Sequence, residues 1–199
     1  ICLPAQGGKP FDCGPFLLQP TSTSIVIVVD HSTPTKARIT LNYEAGAGRS
    51  LSHSEPARHH VFKIDNLPPN TVCRYRVRGN GLDSGEHSFR TLPVEPDRYR
   101  FLVLGDVRSD PTSWAKVANL ALSRDSDALF MVGTGDYPND GRKYNQWITQ
   151  FFQPGRGLLA HFPFWPAIGN HESTRTSNGL TSDTDSHYFS LFELPGNER

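Results

Sequence analysis

A chain of 199 residues with 36% hydrophobic content is long enough for one large domain or two small ones, which excludes a disordered or fibrous protein. Its 20 basic and 20 acidic residues cancel, so no global field draws it to nucleic acid or to an anionic membrane, and any phosphate must be met locally. The longest aliphatic run, Ile25 to Val29, is far too short to span a bilayer.

Residues 1 to 14 are rich in Gly and Pro, show no periodicity and read as a leader beside an edge strand. The chain opens on Ile1 with no signal peptide, from which a processed upstream segment is expected. Cys2 and Cys13 are close enough to close a small disulfide loop, as in an exported protein; free or buried thiols at Cys2, Cys13 and Cys73 explain the pattern equally well. No Cys-x-x-Cys spacing is present, which argues against structural zinc.

From Pro15 to Pro93 short strands alternate with turn clusters, the rhythm of a β-sandwich. Ile25 to Val29 is β-branched and continuous, Ile39, Leu41 and Tyr43 alternate with polar residues, and Val61 to Ile64 precedes a Pro-Pro-Asn turn. Cys73, Tyr75 and Val77 share one strand face, Arg74, Arg76 and Arg78 the other. Three arginines in a row could hold an anion, but a solvated sheet face accounts for them more simply. His59 and His60, being adjacent on a strand, face opposite ways and are not expected to ligate one metal together.

Thr91 to Asp97, with Pro93 and Pro96, reads as a linker. Beyond it the period changes. Phe101 to Leu104 is a strand, and Asp110-Pro111 starts a helix whose apolar stripe is Trp114, Val117, Ala118, Ala121 and Leu122. Ala128 to Val132 is a second strand, followed by a helical stripe at Tyr144, Trp147, Ile148, Phe151 and Phe152 that is expected to close at Pro154-Gly155. Pro163 to Ile168 is a third strand. Strand, helix, strand, helix, strand predicts right-handed βαβ units with parallel strands. The polar segment Ser173 to Ser186 reads as a loop over the strand ends.

Each of the three strands breaks at Gly and delivers a polar side chain: Asp106 after Gly105, Asp136 after Gly135, and Asn170-His171-Glu172 after Gly169. One Gly-Asp alone is ordinary turn chemistry. Three on successive βα units converge on one sheet edge, where the carboxylates would repel unless a cation sat between them.

Gly105-Asp106-Val107-Arg108, Gly135-Asp136-Tyr137-Pro138-Asn139-Asp140-Gly141 and Gly169-Asn170-His171-Glu172 resemble the first three motifs of calcineurin-like metallophosphoesterases. A fibronectin type III-like sandwich ahead of them is similar to the layout of purple acid phosphatases and their bacterial relatives. The resemblance implies a fibronectin-like sandwich with its leader over residues 1–93, then the first half of an α/β metallophosphoesterase domain over 94–199. It implies two transition metal ions, of Fe, Zn or Mn, with Asp106 on the first, Asp136 bridging both and Asn170 on the second. His171 is then placed near the leaving oxygen, its ring fixed by Glu172, and Arg108 stands where most of the family has a histidine ligand, where it is either a clamp for a phosphate oxygen or a surface arginine. Asp140 is expected to cap or orient the following helix rather than ligate metal, and Tyr137 to point away from the site. The further histidines of the family, among them a Gly-His-x-His motif, are absent from this chain, so a second polypeptide or further sequence is expected to complete the metal site.

The function expected is metal-dependent hydrolysis of phosphomonoesters by an extracytoplasmic enzyme, with no nucleic-acid or membrane partner. A phosphodiesterase or nucleotidase of the same superfamily is the alternative, and a non-catalytic binding protein on a degraded scaffold is a reading of a different class.

Overall fold

The structure, a computed structural model, describes residues 9–43, 48–124, 127–176, 179–181 and 186–195. The strands are β1 (Cys13–Leu18), β2 (Ile25–Tyr43), β3 (Arg49–Ile64), β4 (Val72–Gly79), β5 (His87–Arg90), β6 (Leu102–Leu104), β7 (Met131–Gly133) and β8 (Phe164–Trp165), all in one mixed sheet ordered β5-β4-β2-β1-β8-β7-β6 with β3 paired to β2. The α/β part behaves as its sequence period predicts: β6, β7 and β8 are parallel neighbours.

The expected strands of the N-terminal part are present, but they are hydrogen-bonded into the same sheet as the α/β strands. The joint is β1, antiparallel to β2 and parallel to β8 through Leu18 and Phe164. This strand lies within the stretch read as leader and early sandwich; it is fully buried and central in the sheet. Alternation along β1 and β2 explains the burial on both sides. Phe16, Leu18, Val26 and Val28 face a core shared with the helices, while Leu17, Ile25, Ile27 and Val29 face a second core built from β2 to β5. The runs around Ile25 and Ile39 are two halves of one 19-residue strand whose pairing with β3 shifts register between Asp30 and Ala37.

The second core contains Cys73, Tyr75 and Val77, as their period requires. On the opposite face Arg76 and Arg78 are occupied by Asp83, to which Arg76 makes a bidentate pair at 2.7 and 2.6 Å. Cys13 and Cys73 are buried free thiols, and Cys2 lies outside the described residues.

Helix α1 (Pro111–Arg124) begins at the Asp110 cap, whose Oδ1 accepts from the Thr112 and Ser113 N–H groups. Its buried residues are Trp114 and Ala118, while Val117 is exposed, one position off the stripe assigned to it. The second helical region runs α2 (Tyr144–Gln146), a π-helical segment (Trp147–Phe152) and α3 (Gln153–Leu159). It does not close at Pro154-Gly155. The Gln153 N–H bonds back to Ile148 in the widened register, and Pro154 enters the first turn of α3, where a missing N–H costs little. Trp147, Ile148, Phe151 and Phe152 are all buried, and an apolar side chain such as Ile148 or Phe151 contributes about 1.5–3 kcal/mol on burial.

Within Ser173 to Ser186, read as a loop, the described backbone includes an antiparallel pair, β9 (Thr174–Thr176) with β10 (Gly179–Thr181). A short helix, α4 (Tyr188–Leu191), follows. Among the described residues no helix is long and apolar enough to cross a membrane.

Candidate active site

The C-terminal ends of β6, β7 and β8 lie side by side, and the chain turns sharply after each. Asp106 and Asp136 both adopt left-handed backbone, φ 52° and 60°. Such conformations are uncommon outside glycine and cluster at functional sites. They swing each carboxylate off its strand end. The turns are stitched together by their backbones: the Asp106 N–H donates to the Gly135 carbonyl at 3.1 Å, and Thr134 N–H to the Leu104 carbonyl at 2.8 Å. Gly135, at φ 95°, packs so closely on the third turn that a Cβ there would stand 2.5 Å from Gly169 Cα.

Glu172 is the hub of this packing. It is buried, and its carboxylate accepts from the N–H groups of Asp136 at 2.8 Å, Tyr137 at 2.7 Å and Gly169 at 2.8 Å. Burial pushes its carboxyl pKa up, and the three N–H groups oppose that shift. This corrects its expected role: Glu172 holds the second and third turns together and does not touch the His171 ring. The ring is fixed by a backbone oxygen, Nδ1 lying 2.6 Å from the Asn139 carbonyl. A carbonyl only accepts, so Nδ1 carries the proton and Nε2 faces Asp136 Oδ2 at 4.0 Å. The His171 N–H meanwhile donates to Asp136 Oδ1 at 3.1 Å.

Arg108 lies between the two aspartates. Its terminal nitrogens are 3.5 Å from Asp106 Oδ1 and 3.7 Å from Asp136 Oδ2, and its buried Nε has no hydrogen-bond partner among the described residues. These are long, loose ion pairs. The Asp106 side chain is 76% exposed, so its carboxylate is free to accept another ligand. Asn170 is exposed and, with His171, Asn139, Asp140, Arg142 and Ser173, lines a polar cleft of about 200 Å³. Asp140 does not cap α2, whose N-cap is Lys143 with no side-chain cap hydrogen bond; it orders the turn ahead of the helix instead. Its Oδ1 accepts from the Arg142 N–H ahead of α2, and Arg142 and Lys143 hold its carboxyl at about 2. Tyr137 points away, as expected, with its hydroxyl donating to the Ala167 carbonyl at 2.9 Å.

Asp106, Asp136, Arg108 and His171 therefore meet on one sheet edge, with Asn170 in the adjoining cleft. Two functional contributors had no signal in the sequence: the Asn139 carbonyl, because backbone oxygens carry no residue identity, and the tie made by Glu172.

A family model described as calcineurin-like phosphoesterase matches residues 99–198. The chain belongs to the calcineurin-like phosphoesterase family. The purple acid phosphatase PPD1 from seeds of yellow lupin, Lupinus luteus, superposes with a TM-score of 0.71 at 16% identity, covering 94% of this chain and 41% of that one. A structure of PhoD superposes with a TM-score of 0.59 at 15% identity, covering 86% of this chain and 41% of that one. At these identities the likeness concerns the fold, and this chain spans about two fifths of the length of either protein. No curated protein matches the chain significantly.

The donors fit a metal in kind. Hard carboxylate oxygens and an amide suit divalent or trivalent cations, and the carboxylate pair is only loosely neutralised by Arg108. In number they fall short: among the described residues no three His, Cys, Asp or Glu side chains converge as a ligand set.

Proposed function

We propose that in the complete protein this strand-end site carries out metal-dependent hydrolysis of phosphate esters, with phosphomonoesters as the preferred substrate class. The observation that carries the reading is the pair Asp106 and Asp136, both turned by left-handed backbone toward one edge in a chain of the calcineurin-like phosphoesterase family. Asp106 would hold one cation, Asp136 would be shared between two and Asn170 would serve the second, with Fe, Zn and Mn as the candidates. When bound, the cations supply the charge that offsets the phosphate oxygens in the transition state.

The chain's own residues divide the remaining work. The planar fork of Arg108 binds a phosphate oxygen, for which its loose contacts to the aspartates leave it available. His171, with Nδ1–H anchored on the Asn139 carbonyl, presents Nε2 to the departing oxygen; the ring protonated on both nitrogens gives its Nε2 proton to that oxygen and is left as the neutral Nδ1–H tautomer. The polar cleft beside it accommodates the alcohol portion of the ester. Further polypeptide, from this chain or a second one, supplies imidazole ligands and covers the β6 edge, where Phe101 and Val103 are exposed. We also propose that the complete protein works outside the cytoplasm, as the resemblance of its layout to purple acid phosphatases and their bacterial relatives implies. Phosphodiester or nucleotide hydrolysis uses the same machinery and is the nearest alternative.

A second reading is favoured by Arg108 itself: a guanidinium already between two carboxylates suits a binding protein that has lost its metals. Asp136→Asn in the complete protein separates the two. Loss of metal and nearly all phosphatase turnover, with the fold retained, supports the enzyme; a wild-type protein that is well folded and free of metal supports the binder.

A further inference from the structure

His59 and His60 face apart, as adjacent strand residues must, but His60 meets a different histidine. The β2–β3 ladder is regular from Ile25↔Ile64 to Asp30↔His59 and again from Ala37↔His53 to Leu41↔Arg49, with shifted register between. That irregular stretch brings His53 and His60 together although both lie on β3, seven residues apart. Their Nδ1 atoms are 3.1 Å apart, and their rings are stacked with centroids at 5.3 Å.

His60 is 1% exposed, and its Nε2 lies 2.8 Å from the Thr35 carbonyl. The carbonyl only accepts, so Nε2 holds the proton and the lone pair of His60 is on Nδ1, aimed at His53. The His53 ring is half-exposed and held by Phe62, which stacks on it at 4.5 Å and 13°. We propose that His53 and His60 form a bidentate site, through their two Nδ1 atoms, for a borderline divalent transition ion of the Cu²⁺ or Zn²⁺ class.

The distances suit the chemistry. Metal–imidazole bonds run about 2.0–2.1 Å, and two nitrogens 3.1 Å apart then subtend about 100° at the ion, between square-planar and tetrahedral. Thr35 supplies the outer carbonyl that fixes the tautomer of a ligating histidine. Burial, together with His60, lowers the His53 pKa, which keeps its ring neutral as a ligand must be. On binding, the His53 Nδ1 proton moves to Nε2 through solvent, so both rings remain neutral and no net proton is released. Among the described residues no third His, Cys, Asp or Glu joins the pair, so water fills the other positions and the ion is removable by a chelator. The site is separate in sequence and in chemistry from the Asp106–Asp136 edge.

The test is a Cu²⁺ titration of the complete protein after stripping with EDTA, read as bound copper per chain by dialysis and as nitrogen couplings in the copper EPR spectrum. Wild type should bind one equivalent more than His53→Ala, and Asp136→Asn should retain that equivalent with two-nitrogen couplings. His53→Phe, which preserves the stack on Phe62, guards against a packing defect and should also lose it. Equal copper in wild type and both His53 variants would overturn the site, as would loss of the equivalent in Asp136→Asn.

Discussion

The Asp136 N–H donates to Glu172 Oε2 at 2.8 Å, and the same oxygen accepts from Gly169 N–H at 2.8 Å, so one buried carboxylate fixes two motif turns at once. The turn carrying Asp136 and the turn carrying His171 cannot move apart without breaking it. Glu172 is thus a positioning residue whose effect on chemistry passes through the residues it holds.

Glu172→Gln keeps the size but sets an NH₂ group against backbone N–H donors. Hydrogen bonds to a charged group contribute about 1.5–3 kcal/mol each, so the loss of one or two should destabilise the fold by about 2 kcal/mol or more. Urea unfolding should show the midpoint falling with the slope unchanged. An unaltered midpoint would mean that the carboxylate is dispensable for holding the turns.

Arg108→Ala tests the phosphate clamp in the complete protein. Removing a charge-assisted contact worth about 1.5–3 kcal/mol should raise KM roughly 10- to 100-fold, with metal content unchanged. Wild-type KM would return Arg108 to a surface residue, and a gain in bound metal would identify it as the native counter-ion of Asp106 and Asp136.

The α/β half was legible because its signals are local. Period 3.6 located both helices, Asp110 announced its own cap, and a Gly followed by Asp or Asn at each strand end marked the site edge. What stayed hidden depends on partners remote in the chain. Cys13 to Leu18 straddles the boundary read between leader and sandwich because Gly14 and Pro15 interrupt it, yet its two apolar faces are needed by two cores. His53 and His60 meet only through a register shift, which no pattern along β3 discloses. Glu172 could be quoted as part of a motif, but its three N–H partners are main-chain groups.

Gly155 shows why Pro154-Gly155 misled. A Cβ there would stand 2.6 Å from Trp114 Cζ2, in a ring that is buried and donates its N–H to the Phe151 carbonyl at 3.0 Å. The glycine is there for helix packing. In an open helix Gly→Ala gains about 1 kcal/mol, whereas overpacking a core costs about 1–3 kcal/mol. Since the ring cannot retreat without giving up its hydrogen bond, Gly155→Ala should be net destabilising by thermal unfolding. A raised Tm would show that α1 and α3 separate easily.

Asp83 provides a test far from the site. Its side chain is 10% exposed, and the Arg76 guanidinium, helped by the Gly85 N–H and Arg78, lowers its pKa to about 2. A carboxyl whose folded pKa lies below its unfolded value of about 3.9 adds stability that is fully present above that value. The contribution is lost as pH falls through about 2. Asp83→Asn should therefore melt below wild type from neutral pH down to about pH 4, and the two Tm curves should converge as pH approaches 2. A gap that persists unchanged to the acid limit would assign the loss to the neutral hydrogen bonds of the turn rather than to the ion pair with Arg76.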